Sequence, residues 1–137
     1  MQSRILLLDS EPDEVSRRIG ESLAAVANRI DRFDSDKALL NRLLAPMAGV
    51  ALVIIRVRDK AHLMQLTIHS MFLRGMHVAV VLPEIEYEMY SITHIFHPTL
   101  VMCIDDDFGK IAAMAGELIE SGCEERSAVD ARHCWGA

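Results

Sequence analysis

The sequence predicts an α/β protein built on one parallel β-sheet that is covered by helices. Short apolar runs alternate five times with longer segments whose apolar residues recur at the period of a helix. The 137 residues suffice for one domain with a buried core, and no linker or repeat divides them. Strands that alternate with helices in a single domain are typical of a parallel sheet.

The first strand is predicted from Arg4 to Leu8, and its continuous apolar character favours burial on both faces. Ser10 is the predicted N-cap of the first helix, with Pro12 in the first turn. One face of this helix carries a regular apolar stripe, formed by Val15, Ile19, Leu23, Val26 and Ala27.

The second predicted strand, residues 29–33, contains several charges, which favours an edge position. Asp34 and Ser35 can cap a second helix that stops before Pro46. The third strand, residues 50–57, is the strongest strand signal in the chain, so we expect it at the centre of the sheet.

The second half of the chain continues the pattern. A third helix is predicted over residues 60–73, ending near Gly75, and a fourth strand over 77–82. A fourth helix is predicted over 84–96 and a fifth strand over 100–104. A last helix, capped by the acidic run 105–107, is expected to stop at Gly122. We therefore expect one domain over residues 1–121 and a polar tail over 122–137.

Composition and charge exclude several classes of protein. Hydrophobic residues make up 51% of the chain, which is too many for a disordered protein. The net charge of −6 argues against nucleic-acid binding, because that role needs a positive surface. Three cysteines without framework spacing indicate a reducing compartment. The apolar runs are too short for a signal peptide or a bilayer span, so we expect a cytoplasmic protein without a membrane partner.

The segment Arg4 to Val15, RILLLDSEPDEV, resembles the first strand and loop of response regulator receiver domains, in which an apolar strand precedes Asp-Asp-Glu-Pro-Asp. With the five strand–helix repeats, the resemblance covers about residues 3–121. It implies a flavodoxin-like, doubly wound five-stranded sheet of order 2-1-3-4-5 with five helices. It also implies a site at the carboxyl ends of the strands and a role in two-component signal transduction.

The same resemblance implies that the phosphorylation site is degenerate. Phosphoryl transfer to an aspartate needs an acceptor carboxylate and a divalent cation held by further carboxylates. Ser10 stands where receivers have a second acidic residue, and Arg56 stands at the acceptor position. The Thr or Ser of receivers falls on Leu82 or Pro83, and their Lys falls on Ile104 or Asp105. The implied remnant is the set Asp9, Ser10, Glu11, Arg56, Leu82, Pro83 and Asp105, without metal, cofactor or catalysis.

Two interpretations of Arg56 are open. Its charge can pair with Asp9 or Glu11 and take the place of the metal, or it can be an exposed arginine at a strand end. Asp9 or Asp59 could instead be an active acceptor with Mg²⁺, although a carboxylate in the position of Asp59 is more often an N-cap. The protein could also be a flavodoxin-like binder of a nucleotide or flavin, but the loop after the first strand lacks the glycine-rich sequence that binds phosphate through its backbone.

Other candidate ligand residues have simpler explanations. The acidic run 105–107 suits a helix start better than a cation site. The histidines at 62, 69, 94 and 97 have no further ligands at metal-binding spacing, and neither does the set Cys123, His133 and Cys134. Trp135 could anchor the tail to the body of the protein or to a partner.

The fourth helix carries more apolar side chains than one buried stripe requires, among them Tyr87, Tyr90, Ile95 and Phe96. In receivers the surface of helix 4, strand 5 and helix 5 commonly mediates dimerisation or output contacts. The resemblance therefore implies a pseudo-receiver that binds a kinase, regulator or other effector protein independently of phosphorylation, with a homodimer through that surface as a further arrangement. Burial within the monomer is the competing explanation. The chain leaves no room for a separate output domain, so we expect output through contacts.

Overall fold

A computed structural model describes residues 4–11, 13–27, 29–46 and 49–128, with side chains up to residue 120. Five parallel strands form one sheet of order β2-β1-β3-β4-β5, which confirms the predicted fold class and strand order. The strands are β1 Arg4–Leu8, β2 Arg29–Phe33, β3 Val50–Arg56, β4 Val78–Leu82 and β5 Leu100–Cys103. The helices are α1 Glu14–Ala24, α2 Asp36–Leu43, α3 Lys60–Thr67, α4 Tyr87–Thr93 and α5 Gly109–Ala128.

Two apolar layers hold the sheet between the helices. Alternate residues of β1 point to opposite faces, so Ile5 and Leu7 pack with α1 and α5 while Leu6 and Leu8 pack with α2, α3 and α4. All residues of β4 are buried, whereas β2 has none that is fully buried. This difference explains why β2 tolerates charges: it lies at an edge of the sheet, as predicted.

The first helix begins later than the sequence predicts. Its N-cap is Asp13, whose Oδ1 accepts a hydrogen bond from the Ser16 backbone N–H at 3.0 Å, and the prediction that Ser10 caps it is wrong. Ser10 remains in the loop because the chain must first pass over the carboxyl end of β1. Pro12 lies outside the described residues.

The third and fourth helices are shorter than predicted, and each is followed by a 3₁₀ turn. The first 3₁₀ turn spans Ser70–Leu73 and the second His94–Phe96. The Thr67 hydroxyl donates to the Met64 carbonyl, and Thr67 begins a β-branched pair, which weakens the α-helix at that point. Gly75 follows at φ 82°, a left-handed conformation that glycine adopts without strain.

The last helix runs past the predicted stop at Gly122 and is described as far as Ala128. A single glycine costs only about 1 kcal/mol inside a helix, and no proline follows it, so nothing forces the helix to end there. The domain boundary at 121 stays a prediction. The side chain of Cys123 and residues 129–137, with His133, Cys134 and Trp135, lie outside the described residues. Within the described part, no helix combines the length and apolarity needed to cross a bilayer.

Candidate functional site

The candidate site lies where β1 and β3 end beside each other. Leu8 of β1 is in register with Ile55 of β3, so the residues that follow them, Asp9 and Arg56, emerge side by side at the carboxyl edge of the sheet. The Asp9 backbone N–H donates to the Phe33 carbonyl of β2, which keeps the chain in sheet geometry one residue beyond β1. The parallel strand pairing therefore places a carboxylate next to a guanidinium.

Arg56 is the centre of an ion-pair cluster. Its side chain is only 6% exposed, and its Nη1 donates to Asp9 Oδ1 at 3.2 Å and to the Glu11 carbonyl at 3.2 Å. Its two terminal nitrogens also bind both oxygens of Asp13 at 2.8 Å each. Glu11 Oε1 lies 3.4 Å from Nη2. Arg56 thus pairs with both acidic residues proposed from the sequence, and it is not an exposed arginine.

Asp13 is a member of this cluster that sequence reasoning missed. The bidentate hydrogen bonds from Arg56 hold the pKa of Asp13 well below its usual range, and in turn they raise the pKa of Arg56. The signal that could have found it was its position as the second carboxylate after Asp9 in the same loop. With Ser10 as the predicted N-cap, Asp13 falls inside the first turn of the helix, where it is not expected to reach Arg56.

The side-chain oxygens of Asp9 and Ser10 are the buried part of the cluster. The Asp9 side chain is 1% exposed, and its Oδ1 accepts hydrogen bonds from Arg56 and from the Glu11 backbone N–H at 3.1 Å. Its other oxygen and the Ser10 hydroxyl are buried without a protein partner. The charge of Asp9 is therefore balanced from one side only, by Arg56.

The remaining residues of the implied site do not join this cluster. Leu82 is buried at the end of β4 and accepts a hydrogen bond from the Ile104 backbone N–H, and Pro83 follows it half-buried. Asp105 is exposed, and no hydrogen bond or ion pair links it to Arg56 in the part of the chain that the structure describes. The cluster therefore contains Asp9, Glu11, Asp13 and Arg56, with Ser10 beside them.

The acidic run 105–107, between β5 and α5, contains two side chains that accept hydrogen bonds from the backbone of this loop. Asp106 Oδ2 accepts from the Cys103 backbone N–H at 2.8 Å, and Asp107 Oδ1 accepts from Gly109 N–H at 2.9 Å at the start of α5. The Asp107 bond lies at the start of the helix, as the capping explanation predicts, whereas the Asp106 bond closes the turn after β5. Among the described residues, no group of three His, Cys, Asp or Glu side chains is arranged to hold a metal ion.

Asp59 is the N-cap of α3, where its Oδ1 accepts a hydrogen bond from the His62 backbone N–H at 2.8 Å. His62 is buried, and its Nδ1 accepts from the Arg58 backbone N–H at 3.0 Å. A proton is thereby excluded from Nδ1 and placed on Nε2, which lies 2.8 Å from Asp36 Oδ1 and donates to it. His62 thus ties the loop after β3 to the first turn of α2.

The fourth helix presents part of the apolar surface predicted for it. Tyr87, Tyr90 and Ile95 are exposed, but Phe96 is buried in the core, so its assignment to a surface is wrong. Phe96 turns inward because the second 3₁₀ turn rotates it away from the exposed face of α4. Ile85, just before α4, is 83% exposed and was not singled out in the sequence.

Solved structures with similar folds allow a comparison. A CheY-like response regulator receiver domain protein from Methanospirillum hungatei matches with a TM-score of 0.71 at 11% identity, over 91% of this chain and 99% of that one. This chain has the fold of a response regulator receiver domain. No family model matches its sequence, and no curated protein matches it either.

Two further structures give the same receiver fold. A CheY-like response regulator from Mesorhizobium loti matches with a TM-score of 0.63 at 17% identity, over 87% of this chain and 99% of that one. The phosphorylated cyanobacterial phytochrome response regulator RcpA matches with a TM-score of 0.60 at 14% identity, over 96% and 98% of the two chains. The Arg56 cluster lies at the carboxyl ends of the adjacent strands β1 and β3. The strand order of the sheet reverses between these two strands, and doubly wound sheets bind their ligands at that position.

Proposed function

We propose that this protein is a non-catalytic signalling module, a receiver fold that acts through protein–protein contacts and independently of phosphorylation. The observation that carries the proposal is the buried Arg56 guanidinium, bonded to Asp9 and Asp13 at the carboxyl end of β3. A guanidinium is no acceptor for a phosphoryl group, because it is fully protonated and presents only donors. The side chain at this position therefore cannot perform the transfer.

The positive charge of Arg56 also neutralises the carboxylates that would otherwise bind a divalent cation. Phosphoryl transfer to a carboxylate requires a cation that is held by carboxylates and neutralises the phosphoryl oxygens. Here the carboxylates of Asp9 and Asp13 are engaged by Arg56, and Ser10 offers a hydroxyl where an anionic ligand would be needed. A cation would have to displace a buried, hydrogen-bonded arginine, which opposes its binding.

The two alternative phosphoryl acceptors, Asp9 and Asp59, both take part in contacts that hold the fold together. Asp9 is buried beneath Arg56, and Asp59 is occupied as the N-cap of α3. The Asp59 carboxylate accepts the His62 backbone N–H at 2.8 Å, and a cap of this kind contributes about 1 kcal/mol to helix stability. These contacts favour the non-catalytic function over an active receiver.

The exposed side chains around α4 support a protein partner. Ile85 and Tyr87 are 83% and 84% exposed, and they alternate with three exposed acidic residues, Glu84, Glu86 and Glu88. Large apolar side chains in contact with solvent favour association, and the neighbouring carboxylates favour a partner with basic residues. We propose that this surface binds an effector protein of a signalling pathway.

Phosphorylation is tested by incubating the protein with a small phosphodonor and Mg²⁺ and measuring its intact mass. The expected result is an unmodified chain, and a stoichiometric phosphoryl adduct would contradict the proposal. The variant Ser10→Asp/Arg56→Asp should gain Mg²⁺ binding by calorimetric titration. Its control is Ser10→Asp/Arg58→Asp, which makes the same charge changes with an exposed arginine outside the cluster. Equal Mg²⁺ responses in both variants would refute the assigned role of Arg56.

The partner surface is tested by photo-crosslinking in cells. A photoreactive residue replaces Tyr87 in one variant and the exposed Lys37 of α2 in the other. We expect a discrete crosslinked protein at position 87 and none at position 37. Equal crosslinking at both positions, or none at 87, would remove the support for a partner at α4.

A further inference from the structure

The third helix and the 3₁₀ turn after it are apolar on two sides. One side is buried in the core and consists of Leu63, Leu66 and Leu73. The other side is exposed to between 38% and 72% and consists of Met64, Ile68, Met71 and Phe72, which we call the α3 apolar face. Its members are spaced at intervals of four, three and one, as on one side of a helical segment. A surface helix normally has one apolar side, which faces the core, so a second apolar side in contact with solvent is unusual.

The composition of this segment is that of a protein interface. Residues 61–73 contain no Asp, Glu, Lys or Arg, although charged residues make up 25% of the whole chain. Cores of protein interfaces are depleted in Lys, Asp and Glu and enriched in Met and aromatic residues. The α3 apolar face contributes two Met and one Phe, so its side chains match that pattern.

A cavity adjoins the α3 apolar face at the amino end of the sheet. Its volume is about 260 Å³, and Met71 of the first 3₁₀ turn and Ile95 of the second both line it. Leu73, Met76 and Phe96 supply further apolar walls. Met71 and Ile95 are themselves exposed, so the α3 apolar face adjoins the cavity, whose remaining lining includes the polar side chains of Arg74 and His97. The cavity has room for an apolar side chain of a partner.

We propose that the α3 apolar face binds a second copy of this chain in a symmetric dimer. In a twofold dimer each surface meets itself, so any charge it carries faces the same charge on the partner. A chain with a net charge of −6 can associate in this way most readily through a surface without charges. The α3 apolar face has that property.

The surface that the receiver resemblance implies for dimerisation is less suited to self-association. The segment that leads into α4 carries Glu84 and Glu86, and a twofold contact there would bring their four carboxylates together, whereas Glu88 is paired with Lys60. Like charges across an interface cost several kcal/mol. This charge distribution leaves the α4 surface to a partner with basic residues and assigns the second copy to α3.

The size of the proposed contact is consistent with an apolar centre and a polar rim. A specific dimer buries about 1,200–2,000 Å² in total, which is more than the exposed area of four side chains. Gln65, His69 and Ser70 flank the α3 apolar face and can complete the rim with hydrogen-bonding groups. The Met side chains are flexible enough to adapt to their copies across the twofold axis.

The test is sedimentation equilibrium of the full chain over a wide range of concentrations. We expect a reversible dimer in the wild type. Ile68→Glu replaces a side chain that is 72% exposed, and should raise the dimer dissociation constant about 100-fold. Ile85→Glu is the matched control, since it makes the same change at an exposed isoleucine outside the α3 apolar face, and should leave the dimer unchanged.

Folding of each variant is checked by circular dichroism, and Met64→Glu serves as a second variant should Ile68→Glu fail to fold. Hydrogen exchange adds an independent measurement: amides in residues 61–73 should exchange more slowly at dimer-forming concentrations. A wild type that is monomeric throughout overturns the proposal. A dimer that persists in the α3 variants but is lost in Ile85→Glu also overturns it. The same holds for a monomer that uses the α3 apolar face to bind a different protein.

Discussion

Arg56 and Asp13 are joined by two parallel hydrogen bonds of 2.8 Å each, one from each terminal guanidinium nitrogen. Asp13 also caps α1 by accepting from the Ser16 backbone N–H. One carboxylate therefore connects the end of the central strand β3 to the first turn of α1. Because Arg56 also binds Asp9 and the Glu11 carbonyl, the conformation of the loop between β1 and α1 depends on this arginine.

Arg56→Ala should destabilise the protein by about 2–3 kcal/mol, because it leaves the buried Asp9 carboxylate without its counterion. Urea unfolding at neutral pH measures the free energy of unfolding. Arg58→Ala is the control; its side chain is exposed, so we expect a change within about 0.5 kcal/mol. If both variants lose equally little stability, the cluster around Arg56 contributes nothing beyond an ordinary surface pair.

Asp13→Asn should destabilise the protein by about 1 kcal/mol at neutral pH, since the amide keeps the cap but loses the charge that pairs with Arg56. The loss is modest because the Asp13 side chain is 45% exposed to solvent, which screens its ion pair with Arg56. Arg56 lowers the pKa of Asp13 below its ordinary value of 3.8. The stabilisation is therefore complete above that value and lost as the pH falls through the lower, folded-state pKa.

The measurement for this prediction is the free energy of unfolding as a function of pH. The difference between wild type and Asp13→Asn should shrink below about pH 4, where the unfolded carboxyl becomes protonated. Asp34→Asn, at an exposed position with no side-chain partner within the described residues, is the control and should change the free energy of unfolding little at neutral pH. A difference for Asp13→Asn that grows towards acid would contradict the sign.

His62→Ala should destabilise the protein by about 2 kcal/mol, because it leaves the Arg58 backbone N–H without its acceptor and opens space in the core. His94→Ala, at an exposed histidine that contacts the Tyr90 ring, should cost less than about 1 kcal/mol. Nitrogen NMR of the His62 ring should show the proton on Nε2. A proton on Nδ1 would be incompatible with the bond from Arg58.

Two glycines should respond to alanine with opposite signs. Gly116→Ala should stabilise the protein by about 0.5–1 kcal/mol, since it lies inside α5 and its new Cβ would meet Val26 at an ordinary 3.8 Å. Gly75→Ala should destabilise it by about 1 kcal/mol, because the backbone there has φ +82° although no atom lies within 4 Å of the new Cβ. Thermal unfolding of the two variants measures the signs, and a stabilised Gly75→Ala would contradict the left-handed conformation.

The repeating pattern of the sequence was sufficient to predict the fold class and the strands. Each strand was located to within about one residue: the strands buried on both faces by their continuous apolar runs, and the partly charged β2 by its place between two predicted helices. Helix ends were less well predicted. α3 ends at Thr67 and α5 continues past Gly122, since the end of a helix depends on small propensity differences that packing can outweigh.

For the site, the sequence indicated that Arg56 stands among acidic groups at the carboxyl ends of β1 and β3. It did not indicate Asp13 as the main partner, because the cap of α1 was assigned to Ser10. It also placed Phe96 on a surface, whereas the second 3₁₀ turn places it in the core. In both cases a shift of a few residues in a helix boundary changed which way a side chain points.

The sequence by itself determined the parallel sheet, its central strand and the presence of an arginine, Arg56, at the carboxyl end of that strand. Those properties follow from residue type and order along the chain. Only the tertiary structure decided that Arg56 is buried and bidentate with Asp13, and that α3 keeps a second apolar face exposed. Both depend on how separate elements approach each other, and the distances between them are set by packing of the whole domain.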